Sequence, residues 1–273
     1  MTRMIGIAGK KHSGKNTCCN YLHGLKLKDL EMIEDFSINQ QGKLQVFTTH
    51  TKTGERGWGE LHVDSRDISY MEYAYENIWP HIKIYSFADA LKHILVSLFQ
   101  IEHSAVYGSE EEKNQPTHLL WENMPGVVTN NDVWEHLHSG DYVYEENKYG
   151  LIFHEPGPMT GREVMQYFGT DIMRRMYEPV WVNNTLNSIA QEGPEIAIIP
   201  DVRFPNEFDA IVNNGGEVIK LTRGVYEDNH VSENLLDPDN FDQSRFTYLI
   251  DNANISMEDL LSKLSDIYHK KGE

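Results

Sequence analysis

Cysteine is scarce in this sequence, and long apolar runs are missing. The 273 residues include two cysteines, Cys18 and Cys19. Adjacent residues of a helix point in different directions, so these thiols do not pair with each other, and a reducing compartment is the simplest interpretation. No apolar run reaches the length of a membrane span, and the N-terminal run is too short for a signal-peptide core. We therefore expect a cytoplasmic protein without a membrane partner.

Basic residues are also in short supply. Lysine and arginine number 24 against 42 acidic residues, which gives a formal net charge of −18. Binding to a nucleic-acid polymer depends on a basic surface, so this balance argues against such a partner. The exception is a local cluster, Lys10, Lys11 and Lys15, that suits a small polyanion. The 13 histidines show no spacing of the H-E-x-x-H kind, so no zinc site is predicted.

The lysine cluster falls in a glycine-bounded loop, Gly9–Thr17. The loop follows an apolar run, Met4–Ala8, that predicts a buried strand, and it precedes a helix predicted from about Lys15 to Leu25. This order fits the phosphate-binding pattern G-x-x-x-x-G-K, in which backbone N–H groups and the helix N-terminus face the phosphates. The alternative is a chance glycine turn. On the first interpretation, the nucleotide-binding residues here are Gly9, Lys11, Ser13, Gly14, Lys15, Asn16 and Thr17.

The residue after Lys15 departs from the general pattern. Serine or threonine normally follows the lysine and holds Mg²⁺, whereas here Asn16 intervenes and the hydroxyl comes at Thr17. A late hydroxyl is typical of small-substrate kinases of the adenylate-kinase type, in which the metal is held largely through water. It indicates phosphoryl transfer to a small molecule, with ATP and Mg²⁺ as cofactors and Thr17 as a candidate metal ligand.

Apolar strands alternate with amphipathic helices further along the chain. Strands are predicted at Ile82–Phe87, Ile196–Pro200, Glu217–Leu221 and Phe246–Ile250. The corresponding helices are predicted to begin near Asp89, Thr160, Val180, Pro205 and Ser256. This alternation, starting from a phosphate loop, predicts an α/β fold with a doubly wound, mostly parallel sheet.

Irregular stretches interrupt the alternation. We interpret the chain as a single kinase domain, residues 1–273, with insertions near 30–75 and 102–158, each containing a hairpin. Residues 224–243 are a candidate lid, since water must be excluded during transfer. Gly169 is interpreted as a break between two helices, and Leu98 as part of the buried face of the helix that begins at Asp89.

Two charged residues follow a buried strand, at the sheet edge where α/β proteins bind ligands. Asp201 is a candidate for holding Mg²⁺ through water or accepting a substrate hydrogen bond, and its alternative is a helix cap. Arg203 is a candidate for neutralising charge on the transferred phosphate, and its alternative is a surface ion pair with Glu207. Arg223, after the penultimate strand, is placed to stack on a purine.

A second group of cations lies on helices whose apolar faces do not need them. Arg162, Arg174 and Arg175 together suggest a clamp for an acceptor phosphate, although each alone is equally consistent with a solvated surface residue. Asp89 and Lys92 open the helix after the Ile82–Phe87 strand. They either bind substrate or pair with each other along the helix.

These residues occur in segments that resemble one family, the deoxynucleoside monophosphate kinases of tailed bacteriophages. The similar segments run in family order over most of the chain: Gly9–Thr17, Tyr85–Lys92, Tyr107–Asn114, Thr160–Gln166, Gly169–Asp171, Trp181, Asp201–Glu207 and His230–Glu233. The stretches near 30–75 and 125–155 fall outside the resemblance. The first of these departs from compact members and leaves base selection open.

The resemblance implies transfer of the ATP γ-phosphate to a deoxynucleoside 5′-monophosphate, in the host cytoplasm if the protein is phage-encoded. It implies an adenylate-kinase-like core that is often dimeric, so a homodimer is a further expectation. Lys15, Asp201 and Arg203 would be catalytic. The acceptor site would be formed by Arg162, Gln166, Asp171, Arg174 and Trp181, beside Asp89 and Lys92.

Two other functions stay open on the sequence alone. One is a kinase of another small molecule, such as dephospho-coenzyme A. An arginine clamp distinguishes a deoxynucleoside monophosphate kinase from such an enzyme, because only a phosphate acceptor needs the clamp. The other is a regulator that binds ATP without turnover, for which loss of Lys15 would abolish binding although no transfer occurs.

Overall fold

The structure is a computed structural model that describes residues 2–49, 54–65, 67–129, 152–224 and 234–270. Its contacts divide the chain into two compact units. Unit 1 comprises Met1–Phe87 and Val182–Glu273, and unit 2 comprises Ala88–Trp181. That both units belong to one kinase domain with two insertions stays a prediction.

Strands occur in both units. In chain order they are β1 (Arg3–Ala8), β2 (Asp35–Ile38), β3 (Leu44–Thr49), β4 (Arg56–Leu61), β5 (Ile82–Ile84), β6 (Pro116–Leu120), β7 (Val127–Val128), β8 (Ile152–Phe153), β9 (Pro158–Thr160), β10 (Ile196–Val202), β11 (Glu217–Leu221) and β12 (Tyr248–Ile250). The strand predicted over Ile82–Phe87 is therefore shorter than expected.

Helices separate most of these strands. They are α1 (Lys15–Asp29), α2 (Ile68–Asn77), α3 (Asp89–Ser97), α4 (His103–Tyr107), α5 (Glu110–Lys113), α6 (Gly161–Gln166), α7 (Val180–Glu192), α8 (Pro205–Asn213) and α9 (Met257–His269). A π-helix spans Tyr167–Arg174, and single 3₁₀ turns span Trp121–Asn123 and Gln243–Arg245. In the part of the chain that the structure describes, no helix is long and apolar enough to cross a membrane.

A five-stranded sheet forms the centre of unit 1. Its order is β12–β11–β1–β10–β5, and every neighbouring pair is parallel. Strand β1 is central, with Ile5 opposite Ile198 of β10 and Ile7 opposite Ile219 of β11. These side chains are fully buried, as expected for a parallel sheet covered on both faces. The prediction of an α/β fold with a mostly parallel sheet is confirmed.

The stretch near 30–75, predicted to be an insertion, is more regular than expected. Strands β2, β3 and β4 form an antiparallel sheet, in which Val46 pairs with Phe36 on one side and Gly59 on the other. The predicted hairpin joined Val46–Thr49 to Leu61–Val63 across a turn at Gly54–Gly59. The observed second strand, β4, instead takes in most of that predicted turn, and a third strand joins the pair. Helix α2 follows, capped by the Asp67 carboxylate, which accepts the N–H of Tyr70. Leu44 and Val46 are buried in the same core as α1.

The first helix buries groups that would otherwise titrate or react. Burial raises the pKa of the Cys18 thiol to about 12 and raises that of Cys19 well above its usual value. Burial also lowers the pKa of His23 to about 4. The His23 ring stays neutral near pH 7, and its Nδ1–H donates to the carbonyl of Cys19 at 3.1 Å. Neither cysteine therefore offers a thiolate for chemistry.

Unit 2 contains the insertion predicted near 102–158, which also has regular structure. Strands β6 and β9 pair antiparallel, and β7 and β8 pair parallel. The second predicted hairpin, of Tyr142–Tyr144 with Leu151–Phe153, lies largely outside the described residues. Within the described part, Ile152–Phe153 pairs with Val127–Val128. The capping box predicted at Thr160 is confirmed, with Glu163 as its reciprocal partner.

Two helix predictions in unit 2 are wrong. Gly169 does not break the chain, because the π-helix runs through it. A Cβ at this position would lie 2.9 Å from Leu91 Cδ2, so the glycine serves close packing against α3. Leu98 is 73% exposed, whereas Leu91 and Leu95 are the buried residues of α3. Both errors arise because tertiary packing, and not the local pattern, decides which positions are covered.

Candidate active site

The loop between β1 and α1 folds back on itself. The Ser13 N–H donates to the Lys10 carbonyl at 3.1 Å, and Ser13 is fully buried. A Cβ at Gly9 would lie 2.5 Å from Ser13 Oγ, so a side chain there would displace the turn. Gly14 adopts φ +102° at the start of α1 and leaves the first-turn N–H groups without a side-chain cap. These groups are the donors that an anion at a helix N-terminus receives.

The Lys15 side chain is held against this loop by two backbone carbonyls of the loop. Its Nζ donates to the carbonyls of Gly9 at 2.5 Å and Lys10 at 2.9 Å. The same Nζ lies 3.9 Å from Asp201 Oδ1. The side chain is 13% exposed, so its charge sits in a partly desolvated position where electrostatic interactions are stronger than in bulk water.

Asp201 and Arg203 meet Lys15 at one edge of the sheet. Asp201 is the penultimate residue of β10, whose next residue, Val202, pairs with Ala8 at the end of β1. The Arg203 Nε donates to Asp201 Oδ1 at 2.9 Å, and both side chains are more than one third exposed. Parallel pairing therefore brings together three charged residues that are far apart in the sequence.

Glu207 fixes the backbone beneath this cluster. Its carboxylate is 2% exposed, and its Oε2 accepts the N–H groups of Arg203 at 2.9 Å and Phe204 at 3.1 Å. The sequence signal for this role was Pro205 at the first position of α8 with an acidic residue two places later. Sequence reasoning considered Glu207 only as a partner of the Arg203 guanidinium and did not identify its bonds to the backbone.

A cavity of about 230 Å³ opens beside the loop. Thr17 and Arg223 line it, together with Asn252 and apolar side chains at the start of α9. Asn252 joins two walls of the cavity, because its Nδ2 donates to the Ser13 carbonyl at 2.7 Å and its Oδ1 accepts the Arg223 N–H at 3.0 Å. Asn252 was missed from the sequence, although its position after the last strand was a signal.

Thr17 and Asn16 line different cavities. Asn16 belongs to a smaller one, of about 110 Å³, lined also by Asn20, His62 and Asp64. The Thr17 hydroxyl packs against the turn after β2, where a Cβ on Gly42 would lie 2.2 Å away. Among the described residues, no cluster of three or more His, Cys, Asp or Glu side chains is arranged to hold a metal ion.

The segment predicted as a lid is described in part. Residues 225–233, which include the His230–Glu233 motif, lie outside the described residues. The remainder is anchored in unit 1, since Leu236 and Phe241 are buried and Phe241 packs on Phe208. The Asp237 carboxylate forms ion pairs with two lysines. The Nζ of Lys10, in the phosphate loop, lies 3.1 Å away, and the Nζ of Lys220 lies 3.5 Å away.

The predicted acceptor residues lie in unit 2, which brings some of them together. Helix α4 packs against α3 and α6. The Lys92 ammonium lies 5.2 Å from the Tyr107 ring centroid. Arg162 bonds to two groups around α5: its Nη2 lies 2.5 Å from Glu110 Oε2, and its Nε donates to Asn114 Oδ1 at 3.2 Å. Arg162, which is predicted to clamp the acceptor phosphate, is thus held in place by Glu110 and Asn114.

The other predicted acceptor residues are spread along the π-helix and its surroundings. Gln166 precedes the π-helix, Asp171 lies within it 3.9 Å from Arg175, and Arg174 ends it. π-helical turns are frequent at functional sites. Trp181 is 4% exposed, and its Nε1–H donates to the Gly169 carbonyl at 3.0 Å. It therefore supports the π-helix from within, while Asp89 is exposed at the start of α3.

Comparison with known proteins gives one family. Residues 3–264 match the family described as deoxynucleotide monophosphate kinase. A mimivirus protein, from Acanthamoeba polyphaga mimivirus, that is provisionally named a deoxynucleotide monophosphate kinase is 28% identical over 162 residues, or 54% of this chain and 65% of that protein. The deoxynucleoside-5′-monophosphate kinase of Escherichia phage T5 is 34% identical over 76 residues.

These matches cover part of each relative. The T5 alignment spans 27% of this chain and 28% of that protein, and neither alignment reaches two thirds of the relative's length. The family match, by contrast, runs from β1 into α9 and includes both the phosphate loop and the Asp201–Arg203 pair. This chain belongs to the deoxynucleotide monophosphate kinase family.

Proposed function

We propose that the protein transfers the γ-phosphate of ATP to a deoxynucleoside 5′-monophosphate, giving ADP and the deoxynucleoside diphosphate for DNA synthesis. The proposal rests mainly on one observation: Lys15, Asp201 and Arg203 lie close together beside a glycine loop. The helix that follows this loop has no side-chain cap at its N-terminus. Family membership points to the same reaction. Such transfer depends mainly on positioning and charge neutralisation, which three fixed charges and a row of N–H groups can supply.

The donor nucleotide is expected to bind with its phosphates along Gly9–Thr17. Lys11, Gly14 and Asn16 supply backbone N–H groups, and Ser13 holds the turn of the loop through its bond to the Lys10 carbonyl. The Lys15 ammonium exchanges its two carbonyl partners for the terminal phosphates. Arg203 faces the transferred group, oriented by Asp201. Bound Mg²⁺ would neutralise phosphate charge, held largely through water by Asp201 and Thr17. Arg223 stacks on the base.

The acceptor is expected to bind residues of unit 2. Arg162 clamps its phosphate, and its fixation by Glu110 and Asn114 reduces the rotamer entropy lost on binding. The remaining acceptor residues of this proposal are Asp89, Lys92, Gln166, Asp171, Arg174 and Trp181. An acceptor phosphate oxygen attacks the γ-phosphorus, and the bond from that phosphorus to the bridging oxygen of ADP breaks.

The proposal extends to the setting of the reaction. The whole chain acts as one kinase domain with an adenylate-kinase-like P-loop core, in the cytoplasm, on free nucleotides. A homodimer is proposed from the family resemblance alone. Size-exclusion chromatography with light scattering tests the oligomeric state.

A substrate panel tests the function. Purified protein with ATP and Mg²⁺ is incubated with each common monophosphate, deoxy and ribo, and the diphosphate is separated by chromatography. At least one of dTMP, dGMP and dCMP is expected to be converted. The control is Lys15→Ala, which should retain its fold by circular dichroism and lose turnover. If no monophosphate yields ADP above the background of that variant, the proposed function is refuted.

A further inference from the structure

We propose that the turn between β2 and β3 forms part of the donor site and that Gln40 and Gln41 select the base of the nucleoside triphosphate. The turn belongs to the stretch near 30–75 that is predicted to be an insertion. The inference rests on the proposed function only in that the loop binds a nucleoside triphosphate. It assigns a specificity role to residues that the sequence left without one.

The turn is held together by its own bonds. The Asn39 side-chain Oδ1 accepts the N–H groups of Gln41 at 3.0 Å and Lys43 at 2.9 Å. The Gly42 N–H donates to the Asn39 carbonyl at 2.9 Å, and Gly42 adopts φ +75°, which favours glycine. An Asn side chain that bonds its own backbone in this way fixes a turn. Gln40 and Gln41 are therefore presented from a defined backbone.

Two contacts seat the turn on the first two turns of α1. The Asn20 Nδ2 donates to the Gly42 carbonyl at 2.8 Å. Thr17 Oγ1 occupies the space that a Cβ on Gly42 would need, since the two would be 2.2 Å apart. The turn is thus in direct contact with a residue of the phosphate loop. A larger residue at position 42 would push the turn away from α1.

The cavity of about 230 Å³ is formed by three walls, and this turn is one of them. His12, Ser13, Gly14 and Thr17 form the loop wall, and Gln40, Gln41 and Gly42 form the turn wall. The third wall contains Arg223, Asn252 and the apolar side chains of Ile255, Met257 and Leu260. Whole-ligand pockets measure about 300–1,000 Å³, so this cavity suits one end of a nucleotide whose phosphates lie on the loop.

The chemistry of the walls favours adenine at that end. Apolar side chains and a guanidinium accept the flat face of a base, and two amides supply donor and acceptor groups for its edge. A glutamine amide pairs with adenine in a bidentate manner, which guanine does not match.

Calorimetric binding of ATP and GTP, without any acceptor, tests the inference. The variant is Gln40→Ala with Gln41→Ala, and both residues are exposed, so the fold should be unaffected. We expect ATP affinity to fall about tenfold and the preference for ATP over GTP to fall by a similar factor. The matched control is Gln45→Ala, a half-buried glutamine of the same stretch that bonds Glu60 at 3.1 Å outside the cavity. It should bind as the wild type does.

A second variant separates the turn's position from its side chains. Gly42→Ala keeps both glutamines but places a methyl group against Thr17, and it should lower the same preference. If the double glutamine variant binds both nucleotides as the wild type does, the inference is overturned while the proposed function stands. If the wild-type protein binds neither nucleotide, both are overturned.

Discussion

Replacing Asn252 with alanine tests how the donor cavity is held together. The Asn252 side chain is 7% exposed and joins two segments through one amide. One bond reaches the Ser13 carbonyl of the phosphate loop, and the other receives the N–H of Arg223 after β11. Truncation removes both bonds and leaves two backbone groups without their partner.

The magnitude follows from how well water can replace each bond. A buried polar group that loses its partner costs about 1–3 kcal/mol. Ser13 is fully buried, so its carbonyl bears this cost, whereas Arg223 is exposed and water satisfies its N–H. We expect a loss of about 2 kcal/mol in the free energy of unfolding, or about 4–8 °C in Tm for a chain of this size. ATP affinity should fall about tenfold, because the loop is no longer fixed.

Thermal denaturation and calorimetric ATP binding measure both effects. Asn252→Asp is the companion variant: it keeps the acceptor for Arg223 but loses the donor to Ser13 and adds negative charge beside the loop. The free energy of ATP binding that this variant loses should therefore exceed the free energy of unfolding that it loses. Asn214→Ala is the control, since that exposed amide bonds only to the Ala210 carbonyl of its own helix among the contacts described. Wild-type Tm and ATP affinity in Asn252→Ala would refute the reasoning.

Two further predictions concern a clamp and a buried imidazole. Arg162→Ala should raise the KM for the monophosphate about tenfold through loss of a charged hydrogen bond, and leave the KM for ATP nearly unchanged; equal effects would mean that the acceptor site is misplaced. The folded-state pKa of His23, about 4, lies below its ordinary value of 6.5. Its contribution to stability is therefore complete above pH 6.5 and is lost as pH falls towards 4, by up to about 3 kcal/mol. His23→Leu should show a smaller fall in Tm between pH 7 and 4.5, and parallel curves for the two proteins would contradict this.

Local sequence patterns predicted much of unit 1. The strand–loop–helix at the N-terminus, the buried strand before Asp201 and the helix capped by Ser256 all lie where periodicity and capping residues indicated. Each of these signals is complete within a dozen residues. The mostly parallel pairing of the sheet was predicted from the alternation of strands and helices, whereas the order of its strands was not predicted.

The parts that sequence reasoning missed depend on contacts between distant segments. Asn252 bonds a residue 239 positions away, and no pattern around it indicates that partner. Gly42 is needed because Thr17 lies beside it, and Gly169 because Leu91 does. In all three cases the residue type is decided by a neighbour in space. Local propensity therefore misread Gly169 as a break, and it gave no role to the other two.

The position of Lys15 has a consequence for the energetics of binding. With its ammonium bonded to two carbonyls of its own loop, the lysine acts as an internal template around which the empty loop is already folded. The conformational entropy of these residues is then lost when the chain folds and not when nucleotide arrives. Phosphates have to compete with carbonyl oxygens for the ammonium, so ligands with a longer, more highly charged phosphate chain are favoured over shorter ones.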